Sequence, residues 1–186
     1  VVDAQGRVLG THSQAYTVDT PHPGWAQQDA DTWLRACVDA VRGAMERARV
    51  PASAVQALGI SSLGGGSGVP VDAALQPLHP CLIWMDRRAT AEVDAVNATV
   101  DVPRLQAITG NGVDSYYGYT KILWVREHLP EVWSKTRHFL PPNSYINWRL
   151  TGELAVDHSS AGNIGGVYDA ARRQWSQEAM EMLGIP

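Results

Sequence analysis

Residues 59–72 read GISSLGGGSGVPVD, a short apolar run followed by four glycines in five positions and a second apolar start. A phosphate-binding Walker A loop requires GxxxxGK[ST], but here Gly68 is followed by Val69 and Pro70. A dinucleotide-binding fingerprint requires GxGxxG at the start of a helix, whereas a strand pattern follows here. Two interpretations stay open: a glycine-rich hairpin turn, or a strand-end loop where backbone comes close to a ligand.

The composition of the chain excludes several classes of protein. With 186 residues, 45% of them hydrophobic and 18% charged, it suits one globular domain or one large lobe. A net charge of −4 without any long basic cluster argues against nucleic acid as a partner. No stretch is apolar enough to predict a membrane span. Cys37 and Cys81 lie in apolar surroundings, which predicts reduced thiols in a cytoplasmic protein.

Apolar periodicity predicts strands that alternate with helices, the pattern of an α/β layer architecture. The clearest helix is capped by Asp29 or Asp31 and ends before Pro51. Further helices are expected over residues 88–99, 102–109, 120–128, 144–150 and 177–183. Strands are expected over residues 55–61, 68–71 and 80–84, with a strand end at 139–142 and a hairpin across 1–9.

Reactive residue types occur in patterns that exclude two common chemistries. Asp157, His158, Ser159 and Ser160 are consecutive, so they cannot face one another as the members of a hydrolase triad must. The six histidines are scattered without the spacing of metal ligands, so we expect no metal site.

Two polar clusters remain as candidates for ligand binding. Asp86, Arg87 and Arg88 follow a predicted strand, where they either form a solvated strand end or line a cleft. Residues 111–121 read NGVDSYYGYTK and place three tyrosines beside Asp114 and Asn111, ahead of a predicted helix. An apolar wall with a few placed polar groups is typical of carbohydrate recognition. A turn whose tyrosines pack on the next helix explains the same pattern.

Six short segments resemble, in the same order, those of the FGGY family of carbohydrate kinases. They are GWAQQD at residues 24–29, ALGISS at 57–62, IWMDRR at 83–88, TKILW at 120–124, RLTGE at 149–153 and RQWS at 173–176. Each segment alone is weak, whereas six in register over nearly the whole chain are specific.

The resemblance implies an actin-like ATPase fold, in which a ribonuclease H-like α/β lobe has a mixed β-sheet flanked by helices. It implies a two-lobed kinase that binds its sugar and ATP in the cleft between the lobes. Residues 1–186 would be the N-terminal lobe without its first strand and phosphate loop, and without the C-terminal lobe. ATP and Mg²⁺ would serve the intact enzyme and would not bind this chain tightly. Because the catalytic aspartate of the family lies in the second lobe, no catalytic residue is expected here and the chain alone would be inactive.

The resemblance also places a ketose or polyol, such as xylulose, on the glycine loop. The loop lacks the Gln-Met-His-Gly of xylulokinases and the Gln-Arg-Glu of glycerol kinases. Either backbone groups or the side chains of Ser62 and Ser67 would therefore have to bind the sugar hydroxyls. The substrate-binding residues that the resemblance implies are Leu63, Gly64, Gly65, Asp86, Asp114 and Tyr116.

A second class of function stays open, that of a non-catalytic sugar-binding or scaffold module that reuses the lobe. Both functions require a small sugar or polyol as partner, and neither requires nucleic acid or a membrane. A sheet without its first strand would expose unpaired edges, which favours self-association and leaves room for a homodimer.

Overall fold

The computed structural model describes all residues 1–186 and contains eight α-helices. The helices are α1 Ala30–Ala48, α2 Thr90–Thr99, α3 Val102–Thr109, α4 Gly118–His128, α5 Pro130–Lys135, α6 Pro142–Thr151, α7 His158–Ile164 and α8 Gln177–Leu183. A 3₁₀ turn covers Ala52–Ala54. No helix in the chain is both long and apolar enough to cross a membrane.

Six short strands form three separate antiparallel pairs rather than one mixed sheet. The strands are β1 Gln27–Gln28, β2 Val69–Val71, β3 Cys81–Leu82, β4 His138–Leu140, β5 Tyr168–Asp169 and β6 Gln174–Trp175. Strand β1 pairs with β3, β2 with β4, and β5 with β6. A single antiparallel bridge between Val2 and Val8 marks the predicted hairpin at the start of the chain.

Local capping chemistry explains why several helix boundaries match their predictions. The Asp29 side chain caps α1 by accepting from the backbone N–H groups of Asp31 and Thr32. Ser176 caps α8 in the same way, through the N–H of Ala179. Gly184 then ends α8 in the left-handed conformation that glycine adopts most readily.

The predicted strand over residues 55–61 is wrong. No residue from 56 to 66 takes part in a backbone-to-backbone hydrogen bond. Val55 and Leu58 are exposed, and Ile60 is only half-buried. The apolar run has the composition of a strand, but a strand forms only where a neighbouring backbone supplies hydrogen-bond partners. The missing pairing here also explains why the strands do not join into one sheet.

Two apolar clusters form most of the core. One packs α1 and α6 against β2 and β3 and centres on Trp33, Val69, Val71 and Tyr145. The other packs α3, α4, α7 and α8 around Tyr119 and Leu105. The glycine loop, residues 63–66, and the tyrosine loop, residues 111–117, precede elements that belong to these two clusters. The packing of the clusters therefore brings the two loops together.

A buried ion pair joins β1, the end of β3 and α4. The Asp86 carboxylate accepts from the Ala26 N–H at 2.6 Å and from Arg88 Nη2 at 2.8 Å. The Arg88 guanidinium lies 3.7 Å from the ring centroid of Trp25 and 4.9 Å from that of Trp124. Both charged side chains are almost completely buried. This arrangement fixes the segment that follows β3.

We predict that Asp86→Asn lowers the free energy of unfolding by about 3–5 kcal/mol, because it leaves the Arg88 cation buried without its counter-charge. Urea denaturation followed by circular dichroism measures this change. Glu178→Gln is the matched control, because it removes the carboxylate from the solvent-exposed Arg104–Glu178 pair. A shift in the midpoint for Asp86→Asn no larger than that of the control would contradict the prediction.

Candidate functional site

The glycine loop passes so close to other elements that side chains would not fit. A Cβ on Gly65, whose φ is +84°, would lie 2.8 Å from Tyr116 Cζ and 3.2 Å from Trp84 Cβ. A Cβ on Gly118, at the start of α4, would lie 2.1 Å from the Gly66 carbonyl oxygen. The loop has no hairpin hydrogen bonds, so its glycines allow close approach rather than a tight turn.

The backbone N–H groups of the glycine loop have no acceptor within the chain. None of the N–H groups of residues 63–66 donates a hydrogen bond to backbone or side chain. Leu63 is exposed, whereas Gly65 is buried beneath Tyr116 and Trp84. The donors on Leu63, Gly64 and Gly66, which are not buried, are therefore candidates to bind a ligand that carries several oxygen acceptors.

The tyrosine loop supplies an aromatic side chain and a charged pair beside these donors. The Asp114 carboxylate accepts from the Tyr116 N–H at 2.6 Å and pairs with Arg87 Nη1 at 3.0 Å. The Asp114–Arg87 pair is exposed, so it is accessible to a ligand. Tyr116 is half-buried, and its hydroxyl makes no hydrogen bond within the protein.

Lys121 connects the two loops from below. Its Nζ donates to the carbonyl oxygens of Gly65 at 3.1 Å, Tyr116 at 2.7 Å and Ser115. The side chain is completely buried. Burial lowers the pKa of Lys121 to about 8, although the Asp86 carboxylate opposes the change.

Five of the six substrate-binding residues inferred from the sequence lie on or beside this surface, and Asp86 does not. Leu63, Gly64, Gly65, Asp114 and Tyr116 border the two loops. Asp86 is completely buried, and its two oxygens already accept from Ala26 and Arg88. Asp86 therefore supports the surface from beneath and is not a candidate for contact with a ligand.

The two serines expected to meet sugar hydroxyls differ in their availability. Ser67 is completely buried, and its hydroxyl donates to the Gly68 carbonyl and accepts from the Leu82 N–H. The expectation that Ser67 contacts a ligand is therefore wrong. The Ser62 hydroxyl is half-buried and accepts only from the Asn143 N–H, so its own proton stays free to bind a ligand.

Two further side chains face the glycine loop that the sequence did not single out as binding residues. Trp84 is 37% exposed and packs its Cβ toward Gly65. Asn163 Nδ2 lies 2.5 Å from the position of a Cβ on Gly64. Arg87, already a candidate from the sequence, carries the charge opposite Asp114. The position of Trp84 at the end of a predicted strand was a signal, whereas Asn163 lies a hundred residues from the loop and gave none.

Asp157 lies near this region and has a structural role. It caps α7 by accepting from the Ser160 N–H, and it also accepts from the Ser160 hydroxyl and from Asn143 Nδ2. The hydrogen bonds from Ser160 lower the pKa of Asp157 to about 2. A carboxylate with this pKa and these donors is a weak proton acceptor.

Comparison with known protein families identifies the family of this chain. A model of the N-terminal domain of the FGGY family of carbohydrate kinases matches residues 1–186. This chain belongs to the FGGY family of carbohydrate kinases.

Relatives in this family include enzymes of two names. The FGGY domain is 35% identical to a xylulose kinase of Klebsiella pneumoniae, with 97% of this chain and 36% of that protein covered. It is 31% identical to a glycerol kinase of Aromatoleum aromaticum, with 100% of this chain and 38% of that protein covered. The chain therefore spans little more than a third of the length of these relatives.

Solved structures confirm the actin-like ATPase fold expected from the sequence. The xylulose kinase of Rhodospirillum rubrum superposes with a TM-score of 0.80 at 30% identity, over 91% of this chain and 34% of that one. A xyloylose kinase from Brucella ovis superposes with a TM-score of 0.85 at 31% identity, over 94% of this chain and 36% of that one.

We predict that Gly65→Ala destabilises the FGGY domain by about 1–3 kcal/mol, because alanine at a φ of +84° is strained and its methyl group displaces Tyr116. Urea denaturation measures the free energy, and the near-ultraviolet circular dichroism reports the tyrosine environment. Gly112→Ala, in the tyrosine loop, is the control, because a Cβ there meets nothing within 4 Å. Equal stability of the two variants would show that the loop does not approach Tyr116 as described.

Proposed function

We propose that this chain forms the sugar-side wall of an ATP-dependent carbohydrate kinase that phosphorylates a hydroxyl of a ketose or polyol of the xylulose type. The observation that carries the proposal is the row of unpaired N–H groups over residues 63–66, set against Tyr116 and Trp84. The names of the relatives support the same class of acceptor.

The chemistry of this surface suits a polyhydroxylated chain. Backbone N–H groups donate to hydroxyl oxygens, and the Asp114 carboxylate accepts from hydroxyl protons. The exposed ring of Trp84 offers an apolar face to C–H groups. A sugar alcohol or ketose combines these features, because each carbon carries both a hydroxyl and an apolar C–H.

By this proposal, the residues of this chain do not themselves hold ATP or Mg²⁺. The glycine loop lacks the lysine of a phosphate loop, and no three His, Cys, Asp or Glu side chains converge in an arrangement suited to a metal ion. The proposed contribution of the chain is therefore to bind and orient the acceptor hydroxyl, while ATP supplies the phosphoryl group from a site that these residues do not form. By this proposal the 186 residues alone bind sugar but do not turn it over.

A non-catalytic sugar-binding module is the second candidate, and the same observation favours it. Binding of a polyol to this surface requires no catalytic group, and the proposal assigns no nucleotide site to this chain. We also propose a cytoplasmic location, supported by the free thiols Cys37 and Cys81. Self-association as a homodimer stays a prediction.

A coupled ADP-release assay on the whole gene product distinguishes the two candidates. The substrates would be D-xylulose, L-ribulose, glycerol and erythritol, and binding of the same compounds to the 186-residue chain would be measured by calorimetry. Turnover by the gene product, together with binding but no turnover by the chain, is the expected result. Binding without turnover by either protein would support the module, and no binding would overturn both functions.

We predict that Tyr116→Phe lowers kcat/KM of the gene product about tenfold, because it removes a hydroxyl that has no partner in the protein and is free for the substrate. Tyr117→Phe is the matched control on the neighbouring residue and should leave kcat/KM unchanged. Asp114→Asn should also lower kcat/KM, since it removes the charge that accepts hydroxyl protons. Unchanged kcat/KM in both Tyr116→Phe and Asp114→Asn would show that this surface does not contact the acceptor.

A further inference from the structure

The buried ammonium group of Lys121 is the most unusual group among the residues that do not themselves border the proposed sugar-binding surface. It is the fourth residue of α4, and its Nζ reaches the glycine loop through Gly65 and the tyrosine loop through Ser115 and Tyr116. A buried ammonium group normally has a carboxylate partner. Lys121 forms no ion pair, and three backbone carbonyls satisfy it instead.

The number of donors on an ammonium group matches these three acceptors. The protonated side chain has three N–H groups and no lone pair, whereas the neutral amine has two N–H groups and one lone pair. Deprotonation would therefore leave one of the three carbonyls without a donor and facing a lone pair. Only the charged form satisfies both loops at once.

The charged and titratable groups that act on Nζ come from β3, the segment after it and the tyrosine loop. They are Cys81 of β3, Asp86 and Arg87 of the segment, and Asp114 of the tyrosine loop. The carboxylates favour the protonated form and the Arg87 guanidinium disfavours it. None of the four comes within ion-pair distance of Nζ.

We propose that Lys121 is a positioning residue for the sugar, and that its three hydrogen bonds set the distance between the two loops that form the sugar-binding surface. The proposal rests on the proposed function, because the surface is assigned to a sugar there. The Gly65 carbonyl turns inward to Lys121, and in the planar trans peptide the Gly66 N–H then points the opposite way, away from Nζ. The hydrogen bond from Lys121 to the Tyr116 carbonyl oxygen holds Tyr116 in place, and the hydroxyl of Tyr116 stays free.

A positioning role and a purely structural role of Lys121 predict different pH dependences of stability and sugar affinity. Burial lowers the pKa of Lys121 to about 8, from 10.5 for an ordinary lysine. Between these pH values the unfolded chain binds one proton more than the folded chain, so this group makes the fold more stable as pH rises. Sugar affinity should fall as the pH rises through 8, because the neutral amine of the folded chain no longer satisfies both loops. A purely structural lysine would not give these opposite trends.

The chain contains only two lysines, which makes a direct test practical. In the 186-residue chain labelled with ¹³C at lysine Cε, the spectrum has two signals, and Lys135→Met assigns them. We expect the Lys121 signal to titrate near pH 8 and the carbonyl ¹³C signals of Gly65 and Tyr116 to titrate with the same midpoint. A midpoint near that of an ordinary lysine, or carbonyl signals that do not move with it, would overturn the proposal.

Binding experiments complete the test, with D-xylulose and glycerol as probes measured by calorimetry at pH 6.5 and pH 9.5. For the wild type we expect affinity at least tenfold weaker at the higher pH, and for Lys121→Met weak affinity at both. Lys135→Met, on the surface, is the control and should behave as the wild type. Wild-type affinity in Lys121→Met, or wild-type affinity that does not change with pH, would overturn the proposal even if the variant folded poorly. If no probe binds the wild type while the carbonyl signals titrate with Lys121, the tie between the loops stands and the proposed function fails.

Discussion

The close approach of the glycine loop to the start of α4 is the constraint on which the rest of the surface depends. The Gly66 carbonyl lies where a side chain on Gly118 would have to stand, so glycine is needed on both sides of the contact. Once these backbones meet, Lys121 one turn further along α4 comes within reach of the Gly65 carbonyl. Tyr116 then covers Gly65, and the unpaired N–H groups of the glycine loop lie beside it. The loops hold their shape through this contact and not through hydrogen bonds to each other.

Two buried cations lie beneath the surface and are stabilised in different ways. Arg88 is paired with Asp86 and enclosed by Trp25 and Trp124, so it has a full counter-charge and fixes the segment after β3. Lys121 has only carbonyl dipoles as direct partners, so its charge is less well compensated and its pKa falls. The first arrangement gives the scaffold its rigidity, and the second places a titratable group at the junction of the two loops. Asp86 acts on both, since its carboxylate also favours the charged form of Lys121.

Features encoded by neighbouring residues could be predicted from the sequence, and those that depend on distant partners could not. The helix predicted over residues 102–109 matches α3, whose bounds are fixed by neighbouring residues, since Asp101 caps it and Gly110 ends it. The run over residues 55–61 has the composition of a strand but no backbone partner, and composition cannot reveal that. The family resemblance located the two loops, but not their contact, since Gly65 and Tyr116 are fifty residues apart. Lys121 belongs to a polar-apolar helix pattern that gives no sign of burial.

A sugar-binding surface made largely of backbone donors has a consequence for specificity. N–H groups of a glycine loop reach a hydroxyl oxygen from one side but carry no side chain that could clash with the wrong stereoisomer. Under the proposed function, discrimination between sugars on this wall must therefore come from the side chains around the loop. Asp114 and Arg87 present an acceptor and a donor held at a fixed distance by their ion pair, and Asn163 lies against Gly64 on the opposite side. Since Lys121 sets the spacing between Asp114's loop and the glycine loop, the protonation of one buried lysine controls the geometry in which these side chains act.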